Sequence, residues 1–197
     1  MRERPTATGS ADEPADVIVG PWRRVSRRTA YRNDWLTLWH DEVVRPAGGR
    51  GIYGVVHFPG LALGVVALDA DGRVLLVGQH RYTLDRWSWE IPEGAGLPDE
   101  EALAGAQREL AEETGYRARR WTRLVETHTS NSVTDESAVL FLAEELAPGP
   151  ARPDETEELT VRWLALAEAV AMVEAGEITD AMSQVGILLT DRRAGRG

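Results

Sequence analysis

The stretch GAGLPDEEALAGAQRELAEETGY, from Gly94 to Tyr116, is the strongest local restriction on how this chain folds. Pro98 and Asp99 are typical of the start of a helix, and Gly115 is typical of the residue just past its end. The stretch therefore predicts a helix from about Glu100 to Thr114 with a loop on each side.

Three acidic side chains of this helix lie close together. Glu109, Glu112 and Glu113 are three and four residues apart, so they share one arc of the helix surface. Their repulsion costs a few tenths of a kcal/mol per pair on an exposed helix and more when the pair is partly buried. Two explanations are open at this point: a solvated acidic surface, or a divalent cation such as Mg²⁺ or Mn²⁺ that offsets the repulsion.

The apolar residues of the same helix predict where the acids lie relative to the core. Leu103, Ala106 and Leu110 form the stripe that we expect to face the core. The small residues Ala102 and Gly105 point in the same direction as the acids. The acidic arc should therefore border the core, with little side-chain bulk beside it.

The sequence on both sides of this helix has the pattern of short strands. LALGVVALD and RVLLVGQHRY flank Asp71-Gly72 and predict a hairpin of central strands that are covered on both faces. Further strands are predicted at WRRVSRRTAYR, WLTLWHDEVV, IYGVVHF, WSWEIPEG, RWTRLVETH, SAVLFLAEEL and TVRWLAL, followed by one or two helices in AEAVAMVEAGEITDAMSQVGILLTD. This mixture predicts an α/β fold, a mixed sheet with helices on its faces.

The pattern also predicts how the chain is divided. Residues 1–17 and 191–197 have no periodicity and are expected to be a disordered tail and a flexible C-terminus. Residues 18–58 are expected to form a β-rich N-terminal segment, and residues 59–190 the main domain. A chain of 197 residues is long enough for one well-formed core and short for two independent ones.

The composition excludes several classes of protein. The chain has no cysteine, which excludes disulfides, thiolate catalysis and cysteine-ligated zinc. Its formal net charge of −10 disfavours nonspecific binding to nucleic acid or to an anionic membrane. It contains no HExxH or GxSxG pattern, so a zinc hydrolase and an α/β-hydrolase are not expected. The sequence has no apolar run of roughly 18 residues, the length that a membrane span requires, and no signal peptide is recognised. We therefore expect a cytoplasmic protein.

The spacing around the three acids carries a family resemblance. Gly94 is followed by five residues, Glu100, seven residues, and then the run from Arg108 to Tyr116. This resembles the Nudix box, a loop–helix–loop pattern, and includes the large apolar residue that the pattern requires at Leu110. Tyr116 is a looser match to the final aliphatic position. Because many positions are constrained, the match is specific, and the resemblance extends from about Trp22 to Leu189.

The resemblance implies a Nudix-type α/β/α sandwich around a mixed sheet, and the hydrolysis of a nucleoside diphosphate linked to another group. It implies that Glu109 and Glu113 are the main ligands of Mg²⁺, with Mn²⁺ as an alternative. Glu112 would be a further ligand or a base for water. The backbone carbonyl of Glu93 or Gly94 would complete the ligand set.

The resemblance also implies supporting roles. Arg108 would orient the carboxylates by hydrogen bonds, although an ordinary surface pair with Glu112 explains the same spacing. Gly115 would end the helix. Related enzymes carry a catalytic glutamate in a mobile loop that corresponds to PDETEEL, where Glu157 and then Glu155 are the candidates for the base.

The stretch VGQHRYTLDRWSWEIPEGAG is similar to the ADP-ribose pyrophosphatase and nucleoside diphosphate sugar hydrolase group. The similarity implies that ADP-ribose is hydrolysed to AMP and ribose 5-phosphate. It also implies a homodimer whose N-terminal strands exchange between subunits and help to bind the nucleoside. Arg81 is the candidate phosphate ligand because a guanidinium offers paired donors, with an exposed strand-end arginine as the alternative. Trp35 and Tyr53 are candidates for stacking on the base, with packing in the core as the alternative.

One departure from that group concerns the substrate. The group typically carries a proline in the loop past the box, where this chain has Ser130, Asn131 and Ser132. GDP-mannose, another nucleotide sugar, a dinucleoside polyphosphate or a nucleoside triphosphate is therefore an alternative substrate. Glu136 in this loop is a candidate for contacting metal or substrate, with a solvated loop acid as the alternative. A non-catalytic nucleotide-sugar sensor is the alternative from another class, although such sensors usually lack part of the carboxylate set.

Overall fold

The computed structural model describes residues 16–151 and 158–195, which divide into two units. The first comprises the described residues up to Pro59 together with Ser130–Asp135. The second comprises Gly60–Thr129 and the described residues from Glu136 onward. Each unit is built on its own β-sheet.

The first unit contains a four-stranded antiparallel sheet whose strands lie in chain order. The strands are β1 (Val17–Val19), β2 (Trp22–Arg32), β3 (Thr37–Val44) and β4 (Arg50–His57). The carboxylate of Asp41 is buried and accepts two hydrogen bonds from the guanidinium of Arg27, at 2.7 and 2.8 Å. The same guanidinium lies 3.8 Å from the ring centre of Trp39. The predicted β-rich N-terminal segment is confirmed as an antiparallel sheet.

The loop Ser130–Asp135 belongs to this first unit because it bonds to strand β4. The backbone N–H of Val56 donates to the carbonyl of Val133 at 2.8 Å. The hydroxyl of Tyr53 donates to the carbonyl of Ser132 at 2.8 Å, across 79 positions of sequence. No local pattern predicts such a contact, so the sequence did not reveal it.

The second unit contains a mixed sheet of seven strands. They are β5 (Ala62–Leu68), β6 (Arg73–Arg81), β7 (Arg86–Glu90), β8 (Glu93–Ala95), β9 (Arg117–His128), β10 (Ser137–Ala147) and β11 (Thr160–Ala165). The main order is β11-β6-β5-β10-β9, with β7 paired to β6 and β8 paired to β5. Strands β5 and β10 are parallel, and the other pairs are antiparallel.

Strands β5 and β6 form the central hairpin of this sheet. Leu68 pairs with Val74 across a turn in which Gly72 has a φ of 75°, a conformation that glycine adopts without steric cost. Five consecutive residues are buried in each strand, so both faces of the sheet are covered. The predicted hairpin is confirmed.

Helices cover the two faces of this sheet. They are α1 (Ala102–Thr114), α2 (Leu166–Glu174) and α3 (Ala181–Ala194). Leu110 of α1 packs in one core with Val65, and Ile187 of α3 packs in another with Val66. Val65 and Val66 are neighbours in β5, so their side chains point to opposite faces. The α/β/α arrangement around a mixed sheet is therefore confirmed.

Two details of α1 differ from the sequence prediction. The helix begins at Ala102 rather than at about Glu100. The prediction that Leu103 faces the core is wrong, because its side chain is 39% exposed. Leu103 lies in the first turn, whereas Ala106 and Leu110, further along the helix, are fully buried.

The C-terminal stretch forms two helices rather than one. Gly176 has a φ of 73° between them, and the carboxylate of Asp180 accepts a hydrogen bond from the backbone N–H of Ser183 and so caps α3. Helix α3 continues to Ala194, past the predicted domain end at residue 190. Arg192 and Arg193 lie in its last turn, where positive charge complements the helix dipole. In the part of the chain that the structure describes, no helix has the length and apolar character that a membrane span requires.

Candidate active site

Glu113 lies on the buried side of α1 and contacts the backbone of strand β8. It is only 4% exposed, and its carboxylate oxygen Oε2 accepts a hydrogen bond from the backbone N–H of Glu93 at 3.2 Å. Ala106 and Leu110 place this side of the helix against the sheet. Glutamate side chains are almost never this buried unless they are paired, so packing of the core does not account for a carboxylate at this position.

Gly94 lies directly against the carboxylate of Glu109. A Cβ added at position 94 would overlap the Cδ and both carboxylate oxygens of Glu109. The Glu109 side chain is 12% exposed. Any side chain at position 94 would therefore displace the carboxylate of Glu109.

Arg108 joins the acids of the box into one hydrogen-bonded group. Its Nη1 donates to Glu109 at 2.6 Å and to Glu112 at 3.1 Å. Its Nη2 donates to Glu100 at 2.9 Å and to the carbonyl of Ala95 at 3.0 Å. The hydrogen bonds to Glu100, followed by those to Glu109, raise the pKa of Arg108 further above its ordinary value. These are the contacts that the predicted orienting role requires.

Glu100 should contribute to stability in a pH-dependent way. Hydrogen bonds from Arg108 and then from the Leu97 backbone lower its pKa. A lowered acid pKa gives stability that is present above the ordinary glutamate value of about 4.3 and is lost as the pH falls below it. The wild type should lose free energy of unfolding, measured by urea denaturation, as the pH falls through that range. We expect Glu100→Gln to lose less. The exposed Glu126→Gln is the matched control, and equal pH slopes in the two variants would contradict the assignment.

A second group of charged side chains joins strands β6, β7 and β8. The Nε and Nη2 donors of Arg81 bond to both carboxylate oxygens of Glu90, and Nη2 also donates to Glu93 at 3.0 Å. Glu90 is 2% exposed. Arg81 therefore neutralises buried acids, and binding phosphate, as we predict for it, would require its remaining Nη1 or a rearrangement.

The Glu93 side chain was not singled out by the sequence, which pointed only to its backbone carbonyl. Its Oε2 atom is buried and accepts no hydrogen bond within the described residues. Burial first, and then the charges of Asp180 and Glu90, raise the pKa of Glu93 well above its ordinary value. The sequence offered one related signal. Asp180 is a residue type common at the start of a helix, and its charge is one of those that raise the pKa of Glu93.

Ser183, in the first turn of α3, supports the strand end that carries Glu93. Its buried hydroxyl oxygen accepts a hydrogen bond from the backbone N–H of Ile91 at 2.9 Å. Ser183→Ala leaves that buried N–H without an acceptor, so we expect a loss of about 1–3 kcal/mol in the free energy of unfolding. Urea denaturation measures this loss. Thr190→Val is the matched control, because it removes a buried hydroxyl of the same helix that donates to a helix carbonyl, at Gly186.

The Thr190→Val control should cost less than Ser183→Ala, about 1 kcal/mol or below, because the helix backbone already bonds that carbonyl. Equal losses in the two variants would show that the hydroxyl of Ser183 has no special part in holding the strand.

The donors around Gly94 suit a hard divalent cation by their chemistry, since they are carboxylate and carbonyl oxygens. Within residues 16–151 and 158–195, no group of three or more His, Asp or Glu side chains is arranged to hold a metal ion. Arg108 holds Glu109 and Glu112, and the N–H of Glu93 holds Glu113. An ionised carboxylate has several lone pairs on its two oxygens, so these acids can bind a cation while they keep the hydrogen bonds that orient them.

The other predicted residues lie at several places. Gly115 ends α1 with a φ of 76°. Glu136 accepts a hydrogen bond from the hydroxyl of Thr129 at 2.6 Å. Trp35 is 73% exposed, in the first unit.

Tyr53 also belongs to the first unit, where its ring lies edge-on to Trp22 at 5.6 Å and lines a cavity of about 230 Å³. Its predicted part in stacking on a base stays a prediction. Glu155 and Glu157 lie outside the described residues.

The chain matches known families over most of its length. The model described as NUDIX domain matches residues 59–184, and the model described as nucleoside diphosphate sugar hydrolase N-terminal domain matches residues 22–56. The chain is 36% identical over 169 residues to an ADP-ribose pyrophosphatase of Mycobacterium tuberculosis, covering 83% of this chain and 80% of that one. It is 33% identical over 167 residues to an ADP-ribose pyrophosphatase of Bacillus subtilis, covering 84% and 90%. The crystal structure of an ADP compounds hydrolase shares the fold, with a TM-score of 0.80 at 22% identity over 88% of this chain and 95% of that one.

Proposed function

The chain belongs to the Nudix family and is a Nudix pyrophosphohydrolase, and from that premise we propose that it hydrolyses the pyrophosphate bond of a nucleoside diphosphate sugar. ADP-ribose, cleaved to AMP and ribose 5-phosphate, is the proposed substrate. The observation that carries the proposal is the similarity to two ADP-ribose pyrophosphatases over more than four fifths of this chain. The N-terminal match to nucleoside diphosphate sugar hydrolases supports the same substrate class.

We propose that the reaction requires Mg²⁺, with Mn²⁺ as a substitute, held by Glu109, Glu113 and a backbone carbonyl of Glu93 or Gly94. When bound, such a cation neutralises phosphate oxygens and acidifies water. The carboxylates of Glu109 and Glu113 both contact the Glu93–Gly94 segment, which supports grouping these four residues. Arg108 keeps Glu109 and Glu112 near that segment.

In the proposed reaction a water oxygen bonds to one phosphorus and the bridging P–O bond breaks. The proton of the water passes to a carboxylate, for which Glu112 is the candidate within the described residues and Glu155 and Glu157 are the candidates outside them. Glu112 suits this exchange because its side chain is 45% exposed. A base that reaches solvent can release the proton after each turnover.

We also propose a cytoplasmic homodimer in which the N-terminal strands form the subunit contact. Five large apolar side chains in the described part of the first unit are at least half accessible: Ile18, Val19, Tyr31, Trp35 and Ile52. Exposed apolar groups of this kind favour association. Light scattering after size-exclusion chromatography tests the dimer, and a monomeric mass at micromolar concentration would contradict it.

The proposed function is tested by assaying a panel of substrates with MgCl₂. The panel comprises ADP-ribose, GDP-mannose, a dinucleoside polyphosphate and a nucleoside triphosphate. We expect the highest kcat/KM for ADP-ribose and no turnover in EDTA. Faster cleavage of another member would reassign the substrate. The panel includes the alternatives because this chain lacks, near Ser130, the proline typical of the ADP-ribose group. No turnover of any compound, together with tight binding of one, would favour the sensor alternative.

A further inference from the structure

A surface cleft lies beside the C-terminal half of helix α1. It has a volume of about 350 Å³ and is lined by Arg108, Ala111, Glu112, Arg117 and Pro150. Glu112 is a candidate base, so the cleft begins at the proposed reaction centre. Ala111 and Pro150 give it an apolar wall, and its charged groups lie at Glu112 and the two arginines.

The two arginines of the cleft differ in how their donors are used. Arg108 donates to three carboxylates and one carbonyl. Arg117 is exposed, and its guanidinium makes no hydrogen bond or ion pair within residues 16–151 and 158–195. Arg117 is therefore the cleft arginine whose paired donors are available for a ligand.

The backbone of Arg117 is held in place by its neighbours. Gly115 caps α1 in a left-handed conformation that closely approaches the carbonyl of Gly149. The ring of Tyr116 packs edge-on against Trp163, with 5.4 Å between centroids. Arg117 then begins β9 and pairs with Ala147 of β10. A guanidinium on a fixed backbone loses less freedom on binding than one on a loop.

The negative net charge of the chain means that an anionic substrate needs a local positive group such as Arg117. The formal net charge is −10, so a doubly charged diphosphate is repelled by the protein as a whole and needs a local cation. A guanidinium presents two parallel donors that match phosphate oxygens. We propose that Arg117 binds a phosphate oxygen of the substrate in this cleft, which makes it a substrate-binding residue next to Glu112. The inference rests on the proposed function and adds a residue to it.

The test compares Arg117→Ala with Arg119→Ala. Arg119 lies two positions further along β9, is exposed and does not line the cleft, so it matches the change in charge. A charge-assisted hydrogen bond contributes about 1.5–3 kcal/mol, so we expect Arg117→Ala to raise KM for ADP-ribose at least about tenfold. The change in kcat should stay within about twofold, because the contact is present in ground and transition states alike.

Two further measurements separate binding from structure. Arg117→Lys should restore part of the affinity, since it keeps the charge but not the paired donors. The KM of the wild type should rise with NaCl more steeply than that of Arg117→Ala. Because Arg117 is exposed, the variants should unfold at the wild-type temperature.

Equal KM values and salt slopes in Arg117→Ala and Arg119→Ala would overturn the inference while leaving the proposed function intact. If the wild type cleaves no member of the panel, the proposed function fails by itself. Calorimetric titration with inorganic pyrophosphate then decides the inference, which requires weaker binding by Arg117→Ala than by Arg119→Ala.

Discussion

Glu113→Gln should abolish turnover while leaving the fold intact. The variant removes a negative charge, but its amide oxygen can still accept the hydrogen bond from the N–H of Glu93. We expect kcat to fall by at least about 10²- to 10³-fold, the loss seen when one group that stabilises transition-state charge is removed. Steady-state hydrolysis of ADP-ribose with MgCl₂ measures this loss.

The control for this prediction is Glu126→Gln, which removes one charge from an exposed pair with Arg123. It should keep the wild-type kcat. Both variants should unfold at nearly the same temperature as the wild type, so that a loss of activity in Glu113→Gln cannot be assigned to unfolding. If Glu113→Gln retained more than about a tenth of the wild-type kcat, Glu113 would not be a ligand of a catalytic cation.

Gly94→Ala should also remove most of the activity, through displacement of Glu109. The added methyl group would occupy the space of the Glu109 carboxylate. The side chain or strand β8 must then move, and a displacement of about 1 Å at a catalytic group costs about 10²-fold in rate. The free energy of unfolding should fall by only about 1 kcal/mol, because the overlapping atoms are the end of the flexible Glu109 side chain, which can shift. Enzyme assays and urea denaturation measure the two effects.

Two variants test the cause of these effects. Gly54→Ala places a methyl group on a strand glycine with no atom within 4 Å, so its stability should be close to that of the wild type. Glu109→Ala combined with Gly94→Ala removes the overlapping carboxylate. The double variant should lose less free energy of unfolding than the two single variants lose together, by about 1 kcal/mol. It should nevertheless be inactive. Simple additivity would show that Glu109 is not the group displaced.

The sequence predicted the helix of the box and the central hairpin because their signals are local. Gly115 ends α1 with the left-handed conformation that its residue type favours. The apolar runs of β5 and β6 correspond to strands buried on both faces. Leu103 shows where periodicity fails, since a helix stripe does not say how far along the helix the sheet extends.

The support of the site could not be predicted in the same way. Ser183 reaches Ile91 across 92 positions of sequence, and Glu113 reaches Glu93 across 20. No period or motif connects Ser183 with Ile91, and the box resemblance grouped Glu113 with the carbonyl of Glu93 or Gly94 but not with the N–H of Glu93. These pairs meet because α1 and α3 pack on opposite faces of one sheet, so their contacts with the strand end between them depend on how the layers pack.

The sequence by itself determined the acids of the box, their spacing, the glycine that ends the helix, and the family. These follow from the identities of residues that are near one another in the chain, which set backbone preference and charge locally. The tertiary structure alone decided that Arg81 bonds to Glu90 and Glu93, and that Arg117 and Glu112 line one cleft. The partner of a charged side chain is set by which strands and helices become neighbours, and that is a property of the folded chain.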